Sequence, residues 1–150
     1  MEKIGLQAKT KAEPGVAEKY WFENEHIGLR RTLFHRVHIP LSEFSSGLDY
    51  EPQPVKIEIV MEWLDLNLPD PDNLDGLNLK SSPEDQTEVS LYLGMAHNPC
   101  DIIKMNWKRT AEHIYNIHCE LFIDFEFEGV AENEIFKFET VVRLDPEIKE

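Results

Sequence analysis

A chain of 150 residues that is 41% hydrophobic and 10% aromatic has the material for one globular domain, which at this size buries roughly 68–70% of its unfolded surface. Against 15 Lys plus Arg stand 29 Asp plus Glu, a formal charge of −14 spread over both halves of the chain. Such a field repels nucleic-acid phosphates and anionic lipid and attracts a basic protein surface or a cation, with solubility alone the plainer use of the charge.

Cys100 and Cys119 are too few for a disulfide framework, no signal-peptide pattern opens the chain, and no window reaches the ~18 apolar residues of a membrane span. The expectation is a soluble, cytoplasmic protein with two free thiols.

Residues 1–19 are polar, contain Pro14-Gly15 and show no sustained period, which predicts a flexible N-terminal arm ahead of a single β domain over residues 20–150. Tyr20, Trp21 and Phe22 then cap the core in a short strand or one helical turn. From Ile27 to Leu41 the odd positions Leu33, His35, Val37, Ile39 and Leu41 alternate with polar neighbours, a period of two that predicts a strand ending at Pro40.

Residues 55–66 repeat the pattern, with Val55, Ile57, Ile59, Met61 and Trp63 inward. Residues 67–86 hold Pro69, Pro71, Gly76 and Pro83 among acidic side chains and predict a long surface loop.

Strands are expected at 87–96, 102–109, 113–127 and 134–144, with Met95, Ile103 and Phe127 among the inward residues and a turn built on His97, Asn98, Pro99 and Cys100. In the last hairpin a pairing sum of 263 places Glu126 opposite Lys137, Phe122 opposite Val141 and Glu120 opposite Arg143, each pair worth about 0.2–1 kcal/mol. A sum of 261 would instead set Phe122 against Glu139. Four strands joined by short turns make an antiparallel meander whose apolar face needs cover. The fold expected is all-β, an antiparallel sandwich or partly closed barrel; the alternative is α+β, with one N-terminal helix over residues 14–25 on a curved sheet.

No nucleotide-binding, hydrolase or zincin motif is present. His35 and His38 fall on opposite faces of a strand and depart from the His-x-His spacing of metal-binding cupins. His97 and Cys100 lack the further ligands of a zinc site. Asp70, Asp72 and Asp75 resemble a calcium loop only weakly, because Leu74 stands where an oxygen ligand is needed, and no cofactor is expected.

The outer row of the last hairpin, Glu120, Phe122, Asp124, Glu126 and Val141, interleaves acid with apolar and is the partner-binding candidate. A second layer over Phe122 would make it core instead. The function expected is thus a non-catalytic acidic module that binds a basic protein, of inhibitor, immunity or assembly-factor type. The alternatives are a small-ligand or metal-assisted enzyme pocket lined by His35 and Tyr115, and a homo-oligomer formed through strand edges.

Overall fold

The computed structural model describes every residue from Met1 to Glu150. One short helix, α1 (Leu6–Lys9), precedes eight strands: β1 (Gly15–Asn24), β2 (Leu29–Pro40), β3 (Glu58–Leu64), β4 (Asn78–Leu79), β5 (Glu88–Leu93), β6 (Ala96–Ala111), β7 (Ile114–Ile123) and β8 (Glu134–Lys149). The fold is all-β. Residues 14–25, the helix of the α+β alternative, are almost wholly β1.

The ladder runs β6-β5-β3-β2-β1-β8-β7, and a further β6–β7 pairing closes it into a ring of seven, with β4 attached outside the ring to β6. All neighbours in the ring are antiparallel except β1 and β8, which run parallel. An odd number of strands cannot alternate direction all the way round, so one parallel pair is a geometric necessity, and the expectation of an antiparallel sheet is corrected to a mixed one. The ring holds one contiguous core of 31 buried residues.

Three local devices shift side chains away from strict alternation. In β6 the pairing with β7 slips between Ile102 and Lys104, a bulge that turns Ile102 inward and leaves Ile103 37% exposed. In β3 a bulge at Trp63, with φ of 62°, brings Leu64 inward and Trp63 out to Tyr20, Phe22 and Phe34. The β5–β6 hairpin turns on Gly94 and Met95, both at positive φ as a type I′ turn requires, so Met95 is 65% exposed. The turn is therefore not at His97–Cys100, which lie within β6.

The last hairpin takes neither expected register. Glu120 faces Lys137, Phe122 faces Ile135 and Asn116 faces Val141, because β7 ends at Ile123 and a ten-residue connection, 124–133, follows. That connection tucks Phe125 and Ala131 into the core and turns Phe127 out, 71% exposed, which corrects its inward assignment.

The boundary drawn between residues 19 and 20 falls inside β1, and the segment before it is packed: Ile4 and Leu6 are 1% and 0% exposed. The carboxylate of Glu134 accepts the backbone amides of Gly5 and Leu6. Ile4 and Leu6 stand among Glu2, Lys3, Gln7, Lys9 and Thr10 with no sustained period, which is why the sequence shows an arm there.

Candidate functional site

The ring has two different ends. At the first, β5, β7 and β3 begin or end beside segments 41–57, 94–95 and 124–133; at the second, segment 65–87 folds across the opening.

At the second end, inward-facing Lys19 and His35 pair across β1 and β2, and both reach the long segment. The Lys19 ammonium, its side chain only 1% exposed, forms an ion pair with Asp72, and His35 Nε2 lies 2.9 Å from the Pro71 carbonyl. Tyr115 donates its hydroxyl to the Asp72 carbonyl at 2.9 Å and accepts the Leu74 amide at 3.1 Å, while Leu74 is buried.

The structure thus brings together His35 and Tyr115, the two residues of the ligand-pocket alternative, but as posts that hold a covering segment. Burial, and then the Lys19 charge, hold the His35 imidazole below its usual pKa. Lys19 was missed because it is the last residue of the polar stretch 1–19, where a lysine reads as part of a solvated arm.

The three aspartates of the calcium-like string are engaged separately. Asp70 accepts the Asp72 amide, Asp72 pairs with Lys19, and Asp75 accepts the Arg109 amide. Nowhere do three or more His, Cys, Asp or Glu side chains converge as a metal site would need.

The outer face of β6, β7 and β8 differs from the acidic stripe expected of it. Glu120 lies between Lys104 at 3.1 Å and Lys137 at 3.4 Å, and those two cations, Lys104 first, hold its carboxyl below the usual carboxylate range. Phe122 is half-buried, with the exposed side chains of Ile103 and Ile135 on the same face. Val141 stands six residues along β8 from the Phe122 partner, about 20 Å away, so the two do not share a patch. Asp124 and Glu126 lie beyond the strand, in the 124–133 connection.

What the hairpin face lacks, the first end of the ring carries. Tyr50, Met95 and Phe127 are 53%, 65% and 71% exposed there, each on a different segment. The segments meet: a Cβ built on Gly94 would stand 2.6 Å from Val130 Cγ1 and 3.0 Å from the Tyr50 hydroxyl. Glu51 ties them further, accepting the Gly94 amide at 3.0 Å and the Ser46 hydroxyl at 2.6 Å.

Asp49, Glu51, Asp124, Glu126, Glu128 and Glu132 belong to residues 48–54 and 124–133, which contain no Lys or Arg. Met95 holds a left-handed φ of 59°, a conformation that costs a non-glycine residue about 1–2 kcal/mol, while giving its side chain to solvent.

No model of a known family, no curated protein and no solved structure matches this chain. No helix is long and apolar enough to cross a membrane.

Proposed function

We propose that the protein is a non-catalytic binding module whose acidic ring end engages a basic partner protein, in the manner of an inhibitor, immunity protein or assembly factor. The observation that carries this reading is that the segments bearing Tyr50, Met95 and Phe127, all three exposed, meet at Gly94, and that residues 48–54 and 124–133 hold six carboxylates and no Lys or Arg. Exposed aromatic and Met side chains supply anchors, and the surrounding carboxylates steer a basic surface and reject an acidic one. A second copy of the chain is a poor occupant, because each copy brings a charge of −14.

Closure of the ladder through β6–β7 supports a barrel over a sandwich, and it leaves little free strand edge for oligomer formation. Two free, buried cysteines support a reducing, cytoplasmic setting.

Titration with nona-arginine, followed by amide chemical shifts, tests the assignment. Shifts should gather on residues 48–51, 94–95 and 124–133. Reversal of Asp49, Glu126 and Glu128 to Lys should weaken binding about ten-fold or more at low salt, whereas reversal of Asp70, Glu84 and Asp85 at the other end should change it less than about three-fold. Equal losses from the two triple variants would remove the assignment.

The small-ligand alternative has one observation in its favour. His35 Nδ1 and Trp107 Nε1 are both buried without a hydrogen-bond partner, and the Trp107 and Tyr115 rings are 5.8 Å apart. Its test is a thermal-shift screen of small polar metabolites against the protein and a His35→Phe variant, with a stabilisation absent from the variant as the supporting result.

A further inference from the structure

Resting on the interface proposed above, we infer that the turn from Asp124 to Gly129 is its anchor, a preformed plug that inserts Phe127 into the cationic groove of a protein that binds single-stranded nucleic acid. A single exposed Phe is unremarkable by itself. Here the residue stands on a turn whose backbone is held from several sides. Asp124 Oδ1 accepts the Phe127 amide at 3.1 Å, and Asn133 Oδ1 accepts the Glu126 amide at 2.9 Å. Glu126 Oε2 accepts the Asn133 amide at 3.1 Å, and the Gly129 amide donates to the Glu126 carbonyl at 3.0 Å.

Beneath the turn, Phe125 and Ala131 are fully buried and Val130 is 8% exposed, so the loop is pinned to the core on both sides of its tip. A side chain displayed on a backbone held in this way enters a complex with the ordering cost of its loop already met in folding, which favours an anchor over a rim contact.

The flanking residues narrow the occupant. Glu126 and Glu128 bracket Phe127 and are themselves exposed, so the tip presents anion, aromatic ring and anion in succession. A nucleic-acid strand presents phosphate, base and phosphate in the same order. The surfaces built to receive that sequence combine a positively charged groove with side chains on which a flat ring stacks. The chain cannot bind nucleic acid itself at this surface, since its charge has the same sign. A protein that binds the strand fits by complementarity of both charge and shape.

The test is displacement. A panel of purified single-strand-binding proteins is loaded with a fluorescent oligonucleotide: an OB-fold single-stranded-DNA-binding protein, a cold-shock domain, an RRM protein and a ribonuclease. The wild-type chain should release the oligonucleotide from at least one of them. Phe127→Ala should weaken that release roughly 30-fold, the loss typical of a hot-spot residue, and Phe127→Tyr should stay within about three-fold.

Both variants should unfold at the wild-type denaturant midpoint, because the side chain is 71% exposed. Release by Phe127→Ala as efficient as wild type, or no release from any member of the panel, overturns the plug. The nona-arginine titration separates the two levels: rim shifts without any displacement leave the basic-partner reading standing and remove only the plug, whereas absent rim shifts remove both.

Discussion

The carboxylate of Glu134 accepts the backbone amide of Gly5 at 2.7 Å and that of Leu6 at 2.9 Å, joining the first residues of β8 to the N-terminal segment across almost the whole chain. Glu134 is 7% exposed, so its removal leaves two amides unpaired where water has little access. Glu134→Ala should cost about 2–4 kcal/mol, and Glu134→Gln less, since an acceptor oxygen remains. Deletion of residues 1–8 should cost more than either, because it also strips Ile4 and Leu6 from the core, each worth about 1.5–3 kcal/mol. Urea unfolding checks the order.

The ion pair of Lys19 with Asp72 should behave asymmetrically. Asp72→Ala strands a buried ammonium that retains only a contact with the Pro146 carbonyl at 3.3 Å. Its cost should be about 1–3 kcal/mol, below the range for fully buried pairs because the Asp72 side chain is 43% exposed. Lys19→Met removes the charge that needs a partner and should stay within about 1 kcal/mol of wild type. Equal destabilisation by the two variants in guanidinium melts would contradict this account.

Stability should fall on mild acidification, and His35 should account for part of the fall. Burial keeps its folded-state pKa below the ordinary 6.5, so below pH 6.5 the unfolded chain takes up a proton that the folded chain resists. The contribution is complete above 6.5 and is lost as pH falls through 6.5 and on past the folded value. A His35→Gln variant should show a shallower decline than wild type over that interval, measured by denaturant midpoints at a series of pH values. Parallel curves would count against the assignment.

Neither thiol should react while the chain is folded. Burial, followed by the charge of Asp101, pushes Cys100 up to about 12, and burial raises Cys119 as well. With few thiolates present near neutral pH, a chromogenic disulfide reagent should give almost no signal from native protein and two equivalents after denaturation. Fast labelling of one thiol in the native state would show that the core opens readily there.

Gly94→Ala should be damaging for two separate reasons. The position requires φ of 66°, and the new methyl group would meet Val130 Cγ1 at 2.6 Å. A loss of about 1–3 kcal/mol is expected. Met95→Asn, one position on, should be neutral or stabilising, because Asn tolerates the left-handed region. Both are read by thermal unfolding, and the second should weaken nona-arginine binding if Met95 is part of the interface.

Much of the ring could be read along the chain. The inward row of β7, from Tyr115 through Ile117, Cys119 and Leu121 to Ile123, follows period-two alternation throughout, as does the row of β8 from Phe136 to Leu144. Parity failed where one residue was added or twisted, at Ile103, Trp63 and Met95, since a bulge or an I′ turn depends on the partner strand and not on local hydrophobicity. The candidate site was legible as a composition, acid interleaved with aromatic, and illegible as a place. Glu120, Phe122, Asp124 and Glu126 were read as one strand face, but the strand stops at Ile123, so Asp124 and Glu126 belong to the turn that displays Phe127.

By itself the sequence determined that the chain is a β protein with a strong negative charge, because alternation and net charge are sums over near neighbours and need no knowledge of what lies across the fold. Only tertiary structure decided that seven strands close with one parallel pair, that Lys19 turns inward to meet Asp72, and that the segments carrying Tyr50, Met95 and Phe127 come together at one end. These are relations between segments 30 to 130 residues apart. Their energies depend on register, and a one-residue shift in register sends every side chain of a strand to the opposite face.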